Sequence, residues 1–402
     1  MAPPHSPRVA VVLSHPTQYY SPWFRWLRAH TGLELRVFYL WDFGVTARPD
    51  PRFGKTIRWD VELLDGYEHE FLPNESAHPG AEHFFGFKNP GLTRRLAAWR
   101  PDAVLVFGYK WASHLRVIAW ATLARVPILF RGDSHLIGRP PPGAAKRLAL
   151  RLLFARFAGI LCVGAANRDY FEAFGVPARR LFGAPHSVDA AHFDPGRPGT
   201  REAATAMRTQ LGLAAGTRVV LFAGKFTPAK QPAELVEAFA RVAPPDAALV
   251  LVGDGPELPR LQALSAAAGA GGARIILLPF ANQSEMPARY LLADLFVLPS
   301  RGPYETWGLA VNEAMHLGVP CLVSTEVGCQ RDLVTPGETG WVFDPGAPAA
   351  LEGALRRALD DLGREEVRAA LRAAVARRIA GYTYAATTAG LLNALESLGP
   401  RR

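Results

Sequence analysis

Apolar, β-rich runs alternating with helical patterns along 402 residues predict an α/β protein. It should have two doubly wound domains facing across a cleft. Three observations lead there. The chain is too long for one ordinary core, so two domains of similar size are expected. The strand-like runs fall into two series. Between them lies APHSVDAAHFDPGRPGT (184–200), rich in Pro, Gly and short polar residues, as a linker would be.

In the first series, RVAVVLSH (8–15), ELRVFYL (34–40), DAVLVFG (102–108), VPILFRG (126–132) and GILCVG (159–164) read as buried strands. The second comprises RVVLFAG (218–224), AALVLVG (247–253), ARIILLP (273–279), DLFVLPS (294–300) and PCLVST (320–325). The expected division is 1–190, 191–383, and a last helical stretch within 384–402 that packs back on the first domain.

Composition narrows the class. With 49% hydrophobic and 20% charged residues the chain is globular rather than disordered. Cys162, Cys321 and Cys329 are an odd set without CxxC spacing, which argues against a disulfide framework or a zinc site and for a reducing cytoplasm. The apolar run near the N-terminus is too short for a signal peptide, and no stretch is long enough for a membrane span.

The net charge of +9 resides in the first half. Residues 1–190 hold 24 Lys/Arg against 15 Asp/Glu, and residues 191–402 hold 21 against 21. Such a half suits an anionic partner, a lipid surface or a phosphorylated acceptor, and ordinary solubilising charge is the plainer alternative. AAKRLALRLLFARFAG (144–159) is a basic amphipathic pattern that fits either an acidic membrane or a helix on the sheet with a solvated basic edge. No feature reads as a nucleic-acid site.

The chemistry concentrates in RGPYETWGLAVNEAMHLG (301–318), where Glu305 and Glu313 stand eight positions apart. A strand, a loop and then a helix closed by Gly318 place Glu305 before the helix and Glu313 about two turns on. Thr306, Trp307, Gly308 and Leu309 offer backbone N–H groups at the positive end of the helix, suited to a diphosphate, and Gly308 permits close approach. Carboxylates beside it can accept hydrogen bonds from paired hydroxyls. LFAGKFTPAKQP (221–232) adds Gly224, Lys225 and Lys230 between a strand and the next helix. Two ammonium groups there can neutralise a leaving phosphate as a metal ion does elsewhere. The chain has no DxD, so no metal ligand set is expected.

These stretches, in this order, resemble the retaining glycosyltransferases of family 4. They are joined by LVGDGPELPRL, LPFANQSEMPARYLLADLFVLPS, VPCLVSTEVGCQRDLV and TGWVFDPG, and the set covers most of residues 218–344. The resemblance implies the GT-B fold of two Rossmann-like domains and a nucleoside-diphosphate sugar as donor, with no cofactor and no metal. It places Lys225 and Lys230 on the diphosphate, Lys225 standing where the family usually has Arg. Glu305 would contact the transferred sugar and Glu313 the ribose, with Phe280 by the base and Gly253, Asp254 and Gly255 nearby. PHSVDAAHFDP (185–195) resembles the interdomain segment, with His186 in place of the usual Asn.

The first half matches less well. Where many members have a Gly-Gly loop after the first strand, this chain has SHPTQYYSPWF (14–24), which makes His15, Gln18, Tyr19 and Tyr20 candidates for acceptor binding. LFRGDSHL (129–136) falls where the family carries a His facing the donor sugar. Arg131, Asp133 or His135 can fill that role, and His135 is preferred because imidazole can hold or accept a proton near neutral pH. The catalytic set is therefore His135, Glu305 and Lys230, with Asp133 joining the acceptor group.

The implied activity is sugar transfer to an acceptor hydroxyl with retention, in cell-surface polysaccharide or glycolipid assembly. The partners would be a nucleotide sugar, a lipid-linked or saccharide acceptor and an anionic membrane at the cytoplasmic face. A soluble small acceptor, a sugar-nucleotide epimerase and a non-catalytic binding scaffold are the alternatives.

Overall fold

The computed structural model describes residues 6–46, 48–50 and 55–399. In the first half the strands are β1 (Arg8–Leu13), β2 (Glu34–Tyr39), a hairpin of β3 (Arg48–Asp50) and β4 (Lys55–Ile57), β5 (Glu68–Phe71), β6 (Ala103–Phe107), β7 (Ile128–Arg131), β8 (Gly159–Cys162) and β9 (Leu181–Gly183). Helices α1 (Tyr20–His30), α2 (Leu92–Trp99), α3 (Ala112–Leu123), α4 (Ala144–Phe154) and α5 (Ala165–Ala173) connect them. The second half has β10 (Arg218–Ala223), β11 (Ala247–Val252), β12 (Arg274–Leu278), β13 (Leu295–Leu298), β14 (Cys321–Ser324) and β15 (Gly340–Phe343). Its helices are α6 (Thr200–Gln210), α7 (Pro232–Val242), α8 (Leu258–Ala270), α9 (Met286–Leu291), α10 (Leu309–His316), α11 (Gln330–Leu333), α12 (Ala350–Leu362), α13 (Glu365–Ile379) and α14 (Tyr384–Glu396).

Two parallel sheets result, seven strands in the order β5-β2-β1-β6-β7-β8-β9 and six in the order β12-β11-β10-β13-β14-β15. Both faces of each sheet are covered, which is why their strands read as unbroken apolar runs. Alternation decides which residue goes where. Val9, Val11 and Leu13 enter one core while Ala10 and Val12 enter the other. In β10, Val219, Leu221 and Ala223 face one side, Val220 and Phe222 the other.

All ten predicted strands are present. Missed were β5, whose EHEF sequence is polar because it lies at an edge; the three-residue β9; the edge strand β15; and the hairpin. The helix expected from Thr306 begins instead at Leu309, because Gly308 at φ +101° is its left-handed N-cap. The basic helix expected over 144–159 ends at Phe154.

The chain reverses its direction of winding between β1 and β6 and again between β10 and β13. In such sheets ligands bind beyond the carboxyl ends of the strands at these reversals. The loop after β1 holds Ser14 to Tyr19, that after β10 holds Gly224 to Lys230, and that after β13 holds Ser300 to Gly308.

α14 lies on the first sheet. Leu391 and Ala394 share a core with Val9 and Val11, and the Trp23 indole N–H donates to Thr388 Oγ1 at 3.0 Å. A Cβ on Gly390 would sit 2.2 Å from the Gly183 carbonyl oxygen, so glycine is required where α14 crosses β9. The crossing segment at 184–188, which has no regular secondary structure, is held from three sides. Arg131 Nη1 donates to the Ala184 carbonyl at 2.7 Å, Thr387 Oγ1 to that of Pro185 at 2.7 Å, and Asn312 Nδ2 to that of His186 at 3.1 Å. Among the described residues no helix is long and apolar enough to cross a membrane.

Candidate active-site cleft

The second-domain wall is built from three loops that hold one another. The Phe226 N–H donates to the Asp254 carbonyl at 2.8 Å, and the Glu257 N–H returns to the Phe226 carbonyl at 3.0 Å. A Cβ on Gly253 would lie 2.0 Å from the Gly224 carbonyl oxygen, and one on Gly255 would lie 2.5 Å from that of Phe226. Both glycines sit at positive φ, +158° and +150°, so loop packing fixes them as Gly. The Arg301 N–H donates to the Ala229 carbonyl at 2.8 Å and brings the loop after β13 alongside.

That contact unites the predicted ammonium and carboxylate. Lys230 closes a short 3-10 turn, and its Nζ is ion-paired with Glu305. Glu305 also accepts from Ser300 Oγ at 3.0 Å. Lys225 lies half-buried at the start of the same loop, and Phe280 half-buried in the loop after β12. The segment after Glu305 is pinned from behind: the Gly328 N–H donates to the Glu305 carbonyl at 3.0 Å and the Cys329 N–H to that of Trp307 at 2.9 Å.

Trp307 contributes backbone only. Its indole is buried, donates to Asn312 Oδ1 at 2.7 Å and packs against Gly164 and His186 of the first half. Glu313, which the resemblance places by the ribose, is buried. Its side chain is enclosed and accepts from Tyr290 Oη at 2.6 Å and from Gln283 Nε2 at 3.3 Å. Tyr19 of the first half reaches it as a third donor, with Gln18 beside Tyr19. Burial pushes the Glu313 carboxyl up to about 6 against the pull of these three donors. Desolvation and the facing Glu313 raise the Tyr19 phenol well above its usual value. Tyr290 and Gln283 carried no signal in the sequence, since one lies within an apolar helix and the other in a polar loop.

The opposite wall comes from the loop after β7. Asp133 accepts from Thr306 Oγ1 at 2.7 Å, so this residue, predicted to bind acceptor, bridges to the amide loop of the second domain. His135 is buried. Its Nδ1 accepts from the Ile137 N–H at 3.1 Å, which leaves the proton on Nε2, directed at the Glu305 carbonyl at 3.3 Å. Burial lowers its pKa despite that carbonyl. As arranged it is a neutral hydrogen-bond donor, so of the two expected roles, holding or accepting a proton, the accepting one lacks a free ring nitrogen. His15 pairs with Ser14 Oγ at 3.0 Å and stands edge-on to Phe43. Tyr20 turns away to pack on Phe107.

Lys230 and Glu305 thus meet at the loop that ends in the left-handed Gly308, with His135 and Asp133 of the first half against that loop and Glu313 enclosed within α10. The sequence profile of the glycosyl transferases group 1 matches residues 204–377, the stretch that builds the second-domain wall. That domain belongs to the glycosyl transferases group 1. The chain is 34% identical to the D-inositol 3-phosphate glycosyltransferase of Nocardia farcinica over 307 residues, 72% of this chain and 65% of that protein. It is also 34% identical to the same-named protein of Geodermatophilus obscurus over 225 residues, 53% and 46% of the two. The chain thus spans roughly half to two thirds of the curated relatives it matches. Among solved structures, Anabaena HepE in complex with UDP superposes with TM-score 0.72 at 17% identity, over 97% of this chain and 100% of that one. A glycosyltransferase from Rickettsia africae gives 0.76 at 14%, over 98% and 100%. The fold of the chain is GT-B.

Proposed function

We propose that the chain transfers a sugar from a nucleoside-diphosphate sugar to an acceptor hydroxyl with retention at the anomeric carbon. The observation that carries this reading is the Lys230–Glu305 pair at the N-terminal end of α10, with the first domain's His135 and Asp133 against the same loop. A diphosphate entering there exchanges Lys230's partner from carboxylate to phosphate. That releases Glu305 to accept from sugar hydroxyls.

The chemistry then needs little from protein nucleophiles. As the bond to the diphosphate breaks, negative charge grows on its oxygen, and Lys225, Lys230 and the amides from Thr306 to Leu309 meet it. The acceptor hydroxyl attacks from the face the diphosphate leaves, and the departing oxygen takes its proton. His135 Nε2–H holds a sugar hydroxyl rather than removing a proton. Domain contacts such as Asp133 to Thr306 exclude water, which limits hydrolysis. No metal is assigned a role, because the lysines and amides supply the positive charge.

The acceptor belongs to cell-surface polysaccharide or glycolipid assembly at the cytoplasmic face in this reading, supported by the basic, aromatic first domain. The named activity of the curated relatives makes an inositol phosphate the small-acceptor alternative. The test is a thermal-shift panel of UDP, GDP, ADP and dTDP sugars, since a ligand bound only by the folded state raises its melting temperature. Product analysis with the donor that shifts should give free nucleoside diphosphate and a glycosylated acceptor. An altered sugar still attached to nucleotide, with no acceptor needed, overturns transfer in favour of epimerisation.

A further inference from the structure

One surface of the first domain is unexplained by sugar transfer. From Ser134 to Arg168 the chain has no Asp or Glu but six Lys or Arg. The next acids, Asp169 and Glu172, are already paired with Arg331 and Arg168. α4 lies in the middle of this run. Its inward stripe, Leu150 and Phe154, is buried in the core. Its outward stripe is apolar too: Leu148 and Leu152, four residues apart, are 58% and 57% exposed. A helix on a sheet needs only one apolar stripe, and a solvated face has no use for a second.

Beside the exposed leucines runs a groove of about 560 Å³, lined by Arg147, Leu148, Arg151, Leu152, Pro177 and Arg180. The Arg147 guanidinium donates to the Ala173 carbonyl at 3.2 Å, and its charge stays at the surface. The loop leading into α4 is also part of the cleft rim. Arg139 Nη2 donates to the Pro303 carbonyl at 2.9 Å, and Leu136 and Tyr304 are exposed there.

We propose that the outer face of α4 docks the protein on a bilayer of anionic phospholipid. Leu148 and Leu152 enter the acyl boundary, while Lys146, Arg147, Arg151 and Arg180 meet lipid phosphates. A soluble polyanion would satisfy the arginines and leave both leucines in water, which is why a lipid surface is the better match. Docking sets the rim formed by Leu136 and Tyr304 close to the headgroups. The proposal stands independently of the transfer reading, because its test needs no turnover.

The test is co-sedimentation with vesicles of phosphatidylglycerol and phosphatidylcholine at three to one, against vesicles of phosphatidylcholine alone. Wild type should bind the former, not the latter, and release in high salt. Leu148→Ser with Leu152→Ser should weaken binding at least about tenfold, and Arg147→Glu with Arg151→Glu should abolish it. Arg28→Glu with Arg377→Glu, an equal charge change on other helices, should leave binding intact. Unaltered melting temperatures show that each variant folds. Wild-type binding by the leucine variant, or an equal loss in the Arg28 and Arg377 variant, would overturn the proposal in favour of adsorption through net charge.

Discussion

Glu313→Gln separates what this side chain costs the empty protein from what it does for a ligand. The carboxylate is enclosed by Tyr290, Gln283 and Tyr19, and burial raises its pKa from the ordinary 4.5 to about 6. A carboxyl raised in the folded state holds its proton more tightly there than in the unfolded chain. Its contribution is therefore complete below about pH 4.5 and lost as pH rises through about 6. At neutral pH the buried charge costs about 2 kcal/mol, from 1.36 kcal/mol per tenfold change in proton affinity. Glutamine does not titrate, so the stability of the variant relative to wild type should improve by about 2 kcal/mol between pH 4.5 and pH 7. Ligand binding should move the other way. A carboxylate that accepts from ribose hydroxyls contributes about 1.5–3 kcal/mol per bond, so the variant should bind UDP at least about tenfold more weakly. Urea denaturation of the ligand-free protein at pH 4.5, 5.5 and 7, with UDP titrations at pH 7, reads both. A stability difference that stays flat across pH refutes the burial argument. Unchanged UDP affinity refutes the assigned contact.

Lys230→Ala should lower kcat/KM for the donor by two decades or more, with Lys225→Ala behind it, in steady-state assays over a donor series. Gly328→Ala should destabilise the protein by several kcal/mol and abolish UDP binding, because the new Cβ would lie 1.9 Å from the Thr306 carbonyl oxygen; melting temperature and titration check it. Thiol titration should find no reactive cysteine in the native protein and three after denaturation. All three are buried, burial pushes the Cys162 thiol up to about 12, and it raises Cys321 and Cys329 as well.

What the sequence disclosed follows from where each signal resides. Parallel strands buried on both faces must be continuously apolar, so β1, β6, β10 and β11 could be found without a structure. Edge strands escape that rule, and β5 with its EHEF sequence went unseen. The loops after β10 and β11 were legible because close backbone approach demands glycine, which leaves Gly253 and Gly255 at a fixed spacing, with Lys225 and Lys230 marking the first of them. Partners arriving from distant sequence left no such mark. Tyr19 meets Glu313 across almost 300 residues, and neither Tyr290 nor Gln283 differs from ordinary packing or loop residues in pattern. The tautomer of His135 was equally out of reach, because the N–H of Ile137 decides it. So was the inward turn of Trp307, which depends on the absence of a side chain at Gly164.

The most direct measurement is calorimetric titration of UDP, GDP, ADP and dTDP into wild type and into a variant carrying Lys225→Ala and Lys230→Ala. Two amines about 4 Å from a diphosphate are each worth about 4 kcal/mol before desolvation, so at least a hundredfold loss of affinity should remain afterwards. At least one nucleotide should bind wild type with micromolar affinity and bind the folded double variant a hundredfold more weakly. Equal affinity in the two proteins, or no binding of any of the four to wild type, would contradict the account.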